Sequence, residues 1–297
     1  MLDLHRLMLL REVRQHGTMS AAARELAYSH SAISQQLALL EREAGVVLLE
    51  KVGRNVKLTS AGEELVRNSE AIFAAVERAE SDLAKAHSRP QGVVTVAAFA
   101  TISRIVLPKA LAMLARHVPG LEVRLRLADP DQAARQLVAR QVDAVLTDSY
   151  PGTPSSGGGL DATVLGDDPV RAYLPDPIMD GDLEQLRRVP WIMEPLASGS
   201  TQWALRVCRE RGFEPIVAHE SADLLFHLRL VEQGLAAAFL PDMVLQEAGS
   251  RLSPSTWLPV DQHRSILFLV RSGSQDSPPL VAIRDAVAGA LRELPKL

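Results

Sequence analysis

The chain has 297 residues, of which 47% are hydrophobic and 23% charged, and its formal net charge is −4. These proportions are typical of a globular protein with a sizeable core, and they exclude extended disorder. The single cysteine, Cys208, excludes an internal disulfide and a thiolate-based metal cluster, and it favours a reducing compartment. No apolar run approaches the ~20 residues of a membrane span.

The first segment, MLDLHRLMLLREVRQHG, is interrupted by charged residues. It therefore does not resemble a signal peptide, and we expect a cytoplasmic location and no membrane partner.

Charge is distributed unevenly along the chain. Residues 1–62 have eight Lys and Arg against six Asp and Glu, a balance of +2, which leaves −6 on the remainder. The asymmetry is mild and does not predict a nucleic-acid partner by itself.

Three helices and a hairpin are predicted at the start of the chain. The first helix covers 4–15, the second covers 20–27 with Ser20 as its N-cap, and the third extends from its N-cap Ser29 to Gly45. Two short helices joined by a tight turn, after a stabilising first helix, form the helix-turn-helix pattern. The following VVLLEKVGRNVKLTS contains two β-prone runs separated by a turn, which predicts a two-stranded wing.

The third predicted helix has two unlike faces. Ile33, Leu37 and Leu40 form an apolar stripe, whereas the other side is small, polar and uncharged, with Ser31, Ser34, Gln35 and Ala38. A helix that enters the major groove brings its backbone close to the base edges, so small hydrogen-bonding side chains suit that position. The pattern therefore predicts a DNA-reading helix, and the alternative is an ordinary solvated face.

Each polar position of this helix has a chemical role that follows from its side chain. Gln35 can pair bidentately with adenine, Ser34 can reach a base edge or a phosphate, and Ala38 can contact a thymine methyl group. Ser29, at the helix start, would present backbone N–H groups to a phosphate. His30 either packs over the turn or contacts a base.

A long helix is predicted from Ser60 to about His87, without Gly or Pro after Gly62. Its apolar residues keep near-heptad spacing at Leu65, Ile72, Val76, Ala79, Leu83 and Ala86. Either this helix packs on its own domain, or it pairs with a second copy of itself. We favour pairing, because a narrow stripe on so long a helix needs a narrow partner.

Strands alternate with helices after the linker Ser88–Gly92. The order βαβαβ predicts a parallel sheet with helices on both faces, and a loop (YPGTPSSGGGLD) separates it from a second α/β set that ends in a helix over 279–294. We therefore predict an α/β protein with an N-terminal all-α winged helix-turn-helix and two C-terminal lobes around a cleft. The predicted domains are 1–59, 60–88 and 89–297, with lobe 1 at about 92–161 and 271–297 and lobe 2 at about 162–270.

The chain resembles the LysR-type transcriptional regulators over its whole length. The resemblance is carried by SAAARELAYSHSAISQQLALLEREAG (Ser20–Gly45) and LLEKVGRNVKLTSAGEEL (Leu48–Leu65), followed by the long helix and the two-lobe region in the same order. It implies a winged helix-turn-helix bound to double-stranded DNA, dimers joined through the long helix, usually tetramers, and a periplasmic-binding-protein-like domain that senses a small molecule. RNA polymerase is a further expected partner.

Two features of the DNA-binding segment depart from the family pattern. His30-Ser31 stands where Gln or Thr-Pro-like residues are common, which affects the expected base preference. Leu49 and Lys51 stand where Phe and Arg are common in the wing, and Lys51 can still bind a phosphate, although not as a fork. Arg54, at the wing tip, is predicted to reach the minor groove or the neighbouring backbone.

Two segments place hydroxyl groups at a helix N-terminus, where anions bind well. They contribute Ala100, Thr101 and Ser103 in the first lobe and Ser200 and Thr201 in the second. Matching positions in the family line the effector cleft, so the resemblance implies a small carboxylate or other polar anion bound between them. The alternative is plain helix capping.

Thr147-Asp148, at a strand end, and Phe226-His227, on a second-lobe helix, are further effector-site candidates. The alternative is that they are ordinary core and surface residues. No cofactor is predicted apart from an effector of unknown identity.

An enzyme and a solute-binding protein are the competing interpretations. The chain has no HExxH, no GxSxG, and no glycine-rich loop between a strand and a helix, so a metal site, a nucleophile elbow and a phosphate loop have no support. A transporter's solute-binding protein would explain the two lobes but not the first ninety residues, and it would require a signal peptide. We therefore expect a non-enzymatic transcriptional regulator.

Overall fold

The computed structural model describes residues 1–26, 28–52, 55–86, 89–153, 158–176, 182–259 and 261–294. The N-terminal part contains three helices and a hairpin. Their bounds are α1 Leu4–His16, α2 Met19–Glu25, α3 His30–Ala44, β1 Leu49–Val52 and β2 Asn55–Leu58. The two strands are antiparallel, with Leu49 opposite Leu58, as predicted for a wing.

Local capping sets the ends of these helices. Ser29 is the N-cap of α3, as predicted, and its Oγ accepts a hydrogen bond from the Ala32 N–H at 3.1 Å. The predicted N-cap of α2 is wrong, because Thr18 caps that helix and accepts from the Ala21 N–H at 3.1 Å. Both hydroxyls satisfy backbone donors that the first helical turn leaves free.

A single core holds this part together. It joins buried side chains from α1, α2 and α3 with Leu48 and Val66. The long helix α4 (Ser60–Lys85) begins beside the wing, where the carbonyl oxygen of Leu48 would lie only 2.3 Å from a Cβ at position 62. Gly62 is therefore required for the close approach of α4 to the strand.

The rest of the chain is α/β. The elements, in chain order, are β3 Gly92–Ala98, α5 Ala100–Ile105, α6 Leu107–His117, β4 Leu121–Leu127, α7 Pro130–Val138, β5 Ala144–Ser149, β6 Leu160–Tyr173, α8 Leu183–Arg188, β7 Pro190–Met193, α9 Gly199–Glu210, β8 Ile216–Glu220, α10 Leu224–Glu232, β9 Ala238–Pro241, α11 Asp242–Ala248, β10 His263–Arg271 and α12 Pro278–Arg292. The helix predicted after β3 is divided at Val106 into α5 and α6.

The main sheet has the order β4-β3-β5-β10-β6-β9, and β7 and β8 form a separate parallel pair. Strands β4, β3 and β5 are parallel, which agrees with the predicted βαβαβ unit. Strands β10, β6 and β9 continue the sheet in antiparallel pairs. Strand β6 has 14 residues and begins at Leu160, inside the predicted loop.

The predicted lobe boundaries stay a prediction. Strand β10 falls in the predicted second lobe, yet it pairs with β5, and Ile266, Phe268 and Val270 pack in the core of the first set of strands. A second core surrounds Trp191 and Trp203. Strands β6 and β10 are therefore shared between the two halves of the α/β region.

Among the described residues, none of the helices has both the length and the apolar composition that a membrane crossing requires.

Candidate DNA-binding surface and effector cleft

Helix α3 buries the predicted apolar stripe and exposes the predicted polar face. Ile33, Leu37 and Leu40 are buried in the N-terminal core. The exposed positions are Ser29, His30, Ser31, Ser34, Gln35 and Ala38. Because buried apolar residues fix one side of the helix, the small polar side is directed away from the core and is accessible to a partner.

Hydrogen bonds and an ion pair connect α3 to the wing and to α1. Glu41 Oε1 accepts hydrogen bonds from the Leu48 and Leu49 N–H groups at 2.8 and 3.1 Å, which connects the helix to the start of the wing. From α1, Arg6 donates to Gln36 Oε1 at 3.0 Å and forms an ion pair with Glu43. These contacts hold the exposed face in one orientation, which recognition of a groove requires.

Of the predicted wing residues, one can be located. Lys51 is exposed on β1, opposite Val56. Arg54 lies outside the described residues. Glu50, the neighbour of Lys51 on β1, is directly opposite Lys57 on β2, so the wing combines positive and acidic side chains.

The predicted effector residues of the first lobe are mostly buried. On α5, Thr101 is 2% exposed, Ala100 is half-buried, and the Ser103 Oγ donates to the Phe99 carbonyl oxygen at 2.8 Å. On β5, Thr147 is also buried. The Ser103 hydroxyl is therefore engaged within its own helix.

Ser200 and Thr201, in the second lobe, are also engaged locally. The N-cap Ser198 accepts from the Thr201 N–H at 3.2 Å, and its Oγ lies 2.9 Å from the Ser200 Oγ. The Thr201 Oγ1 donates to the Glu194 carbonyl oxygen at 2.8 Å. Much of the hydrogen bonding at the start of α9 is therefore that of ordinary helix capping, the alternative to effector binding.

A small pocket with a cavity volume of about 20 Å³ lies beside these two residues. Its lining includes Ser200, Thr201, Glu194, Tyr150, Trp203 and His227. The other predicted effector residues, Ala100, Thr101, Ser103, Thr147 and Phe226, do not line it. Phe226 is 46% exposed on α10, whereas its neighbour His227 is buried against the pocket.

The central acidic residue of this pocket, Glu194, was not among the predicted site residues. It directly follows β7, and ligands of α/β proteins bind beyond the carboxyl ends of strands, so its position was the available signal. Burial raises the pKa of Glu194 to about 7, with a further contribution from Asp148, while the Ser200 hydroxyl opposes the rise. In its ionised form, this carboxyl group would repel the anion that the sequence predicted.

A buried arginine forms ion pairs with aspartates on two strands next to the pocket. Arg264, on β10, donates from Nε and Nη2 to Asp168 Oδ2 at 3.0 and 2.8 Å, and from Nη1 to Asp148 Oδ2 at 3.0 Å. Its guanidinium lies 5.1 Å from the centroid of the Phe99 ring. Burial alone would lower the pKa of Arg264, but Tyr150 and Asp168 raise it, so the group stays protonated.

A second charged contact joins the α/β region to the N-terminal helices. Glu77 Oε1, on α4, receives Arg271 Nε at 2.6 Å and Arg140 Nη2 at 2.7 Å. Arg11 Nη2, on α1, donates to the Val138 carbonyl oxygen at 2.6 Å. Glu77 is buried, so the contact is shielded from solvent and holds the two parts of the chain together.

Two family models match the chain. Residues 4–63 match the bacterial regulatory helix-turn-helix protein, lysR family, and residues 87–292 match the LysR substrate binding domain. Among curated relatives, the transcriptional dual regulator GltC of Bacillus subtilis (strain 168) is 24% identical over 283 residues, 94% of this chain and 93% of that protein. The RuBisCO operon transcriptional regulator of Allochromatium vinosum is 28% identical over 215 residues, 71% of this chain and 70% of that protein.

Solved structures give the same fold. The Corynebacterium glutamicum OxyR C206 mutant has a TM-score of 0.58 at 22% identity and covers 99% of this chain and 92% of its own. Full-length CbnR complexed with its target DNA has a TM-score of 0.52 at 23% identity, with 97% and 99% coverage. The relatives are transcriptional regulators, not enzymes, and the chain belongs to the LysR family of DNA-binding transcriptional regulators with an effector-binding domain.

Proposed function

We propose that α3 reads DNA sequence in the major groove and that an effector bound between the two lobes changes the outcome of that binding. The observation that carries the proposal is the exposed face of Ser31, Ser34, Gln35 and Ala38, held in place by the Glu41 contact with the wing. Gln35 is assigned to a base edge, Ser34 to a base edge or a phosphate, and the start of α3 at Ser29 to a phosphate.

The remaining surface residues contribute less to sequence specificity. Lys51 and Arg54, on the wing, are assigned to the DNA backbone or minor groove, and His30 and Ser31 to the base preference. Phosphate contacts position the protein and make its affinity depend on salt, whereas base contacts select the sequence. Different measurements therefore separate the two groups of residues.

The proposed active form is a dimer joined through α4, and a tetramer built from two such dimers. The predicted stripe on α4 supports it, since Ile72 and Leu83 are 38% and 72% exposed in the single chain. Effector binding would favour one closure of the lobes and one packing of the tetramer, which changes the spacing or bend between paired DNA sites. RNA polymerase would respond to that arrangement at a promoter.

The experiment that tests this proposal is capture of fragmented genomic DNA by the full-length protein at near-physiological salt. Wild type is expected to enrich a few dyad-symmetric sites. Gln35→Ala is expected to lose or change that preference, because one bidentate base contact contributes about 1–3 kcal/mol of discrimination.

The matched control is Gln15→Ala, the same change on the exposed surface of α1. This variant is expected to enrich the same sites as wild type. If wild type enriches nothing, or if Gln35→Ala and Gln15→Ala both retain the wild-type sites, α3 is not the sequence-reading element.

A further inference from the structure

We infer that Arg140, in the turn after α7, is a positioning residue that couples the α/β region to α4, and that its backbone is held in a strained conformation for this purpose. The inference rests on the proposed function, because it concerns how a change at the effector cleft reaches the DNA-binding part. The backbone of Arg140, its ion pairs and the packing of α4 support it.

The backbone of Arg140 is left-handed. Its φ is 58°, and among the described residues it is the only non-glycine with a positive φ. The Arg140 N–H donates to the Leu137 carbonyl oxygen at 3.2 Å, and the next N–H along the chain donates to the Gln136 carbonyl oxygen at 2.9 Å. Glycine is usual at this position of a helix end, because a Cβ atom is strained there. An arginine here therefore indicates a use for its side chain.

The side chain of Arg140 contacts α4. Its Nη2 lies 2.7 Å from Glu77 Oε1, and its Nη1 lies 3.6 Å from Glu80 Oε2. The Arg140 side chain is 37% exposed and contributes little to any core, whereas the Glu77 side chain is 5% exposed. An ion pair with a buried carboxylate is screened less than a pair on the surface. The contact with α4 is thus what arginine provides and glycine would not.

Two further arginines meet at the same end of α7. Arg271 Nε, from β10, lies 2.6 Å from Glu77 Oε1, and its Nη1 donates to the Val142 carbonyl oxygen at 2.7 Å. Arg11 Nη2, from α1, donates to the Val138 carbonyl oxygen at 2.6 Å. Cations are favourable at a helix C-terminus, and Glu77 offsets their mutual repulsion. The end of α7 is therefore a point at which α1, α4 and β10 meet.

The backbone of α4 is also in close contact with the α/β region. A Cβ atom at position 273, directly after the turn residue that follows β10, would lie only 2.3 Å from the Ala74 carbonyl oxygen. Ala74 and Glu77 are three residues apart, so they lie on the same side of α4. This side is therefore held against the α/β region, and the ion pair with Arg140 adjoins the close contact.

Helix α7 extends from the cleft to this junction. Asp129 is its N-cap residue, and the negative charge of Asp129 contributes to the raised pKa of Glu194 in the pocket beside α9. The helix has nine residues and is about 14 Å long. A short helix moves as one rigid element, so a shift of its first turn on closure of the lobes would also move Arg140. The ion pairs of Arg140 would transmit that movement to α4.

The test is hydrogen–deuterium exchange of the full-length protein. Arg140→Gly relaxes the turn and removes the charge, whereas Arg140→Lys keeps both the charge and the strained backbone. Exchange in the second half of α4 should become about threefold faster in Arg140→Gly, the factor expected for a partly exposed ion pair, and should stay close to wild type in Arg140→Lys. Arg211→Gly, the same change at the end of α9, where φ is −91°, is the control and should leave α4 unchanged.

A second measurement uses a DNA fragment that the wild type captures. DNA binding should change the exchange of the turn after α7 in wild type and in Arg140→Lys, but not in Arg140→Gly. Arg140→Gly should still enrich the same DNA sites, because α3 is unchanged. A residue that only closed the end of α7 would give the turn no such response to DNA.

Equal exchange of α4 in wild type and Arg140→Gly would overturn the inference. The same holds if Arg140→Lys or Arg211→Gly accelerates α4 as much as Arg140→Gly does. A turn that does not respond to DNA in wild type, or that still responds in Arg140→Gly, would also contradict it. If the wild type captures no specific DNA, the proposed DNA-reading function fails, whereas exchange of α4 without DNA still decides the role of Arg140.

Discussion

Glu194 shows how the pKa of one carboxyl group can make the stability of the fold depend on pH. Folding raises its pKa from 4.5 to about 7, mainly through burial. The folded protein therefore binds this proton more tightly than the unfolded chain does. The contribution of Glu194 to the free energy of unfolding is fully present below pH 4.5 and is lost as the pH rises to about 7.

Glu194→Gln is therefore expected to stabilise the protein at pH 8. The amide removes the cost of an ionised group in a poorly solvated position, which amounts to at most about 3 kcal/mol. At pH 5 the native carboxyl is protonated and resembles the amide, so little change is expected. Urea unfolding of both proteins at the two pH values measures the difference, and equal stabilisation at both would show that the charge is not responsible.

Helices α3 and α4 are each divided into a face that packs on the chain and a face left accessible. On α4, Val66, Ser69, Glu77 and Ser81 are buried, whereas Ile72 and Leu83 of the heptad stripe are exposed. The two alternatives for this helix are thus not exclusive. One face packs on its own chain, and the other has the apolar character of a pairing surface.

Leu83→Asp is expected to convert a dimer of this protein into monomers at micromolar concentration, because a charge would be buried in the pairing stripe. Size-exclusion chromatography with light scattering gives the mass directly. Arg67→Asp is the control, since Arg67 is exposed on α4 and lies about 160° around the helix from Leu83. If Leu83→Asp and wild type have the same mass, the stripe does not form the dimer.

At the scale of the whole molecule, β10 connects the cleft with α4. Arg264, near one end of the strand, bonds Asp148 and Asp168 beside the pocket. Arg271, at the other end, bonds Glu77 on α4. A movement of the lobes that shifts β10 would thus act on both contacts, which offers a physical route from the effector to the DNA-binding part.

Glu77→Gln is expected to loosen the contact between α4 and the α/β region. The amide keeps part of the hydrogen bonding but loses the charge that holds Arg140 and Arg271, for which we expect a cost of about 1–3 kcal/mol. Hydrogen–deuterium exchange should become faster in the second half of α4. Glu64→Gln, on the exposed side of the same helix, should leave exchange as in wild type, and an unchanged Glu77→Gln profile would argue against this contact as the connection.

Much of the N-terminal part was predictable because its determinants are local. The stripe Ile33, Leu37 and Leu40 and the cap Ser29 lie within twelve residues, and helical periodicity converts their spacing directly into a buried and an exposed face. The exact start of α2 was missed because Thr18 and Ser20 are both good caps and only the folded backbone selects one. The DNA and effector contacts of the individual site residues stay predictions.

By itself, the sequence determined the family, the fold class and the composition of the exposed face of α3, because these depend on motifs and periodicities within short segments. Only the tertiary structure decided which charges meet at the cleft. Arg264 bonds Asp148 and Asp168 across 116 and 96 residues of chain, and Glu194 lines the pocket with residues of several elements. Such pairings depend on strand order and packing over long separations, so the spacing of residues along the chain could not predict them.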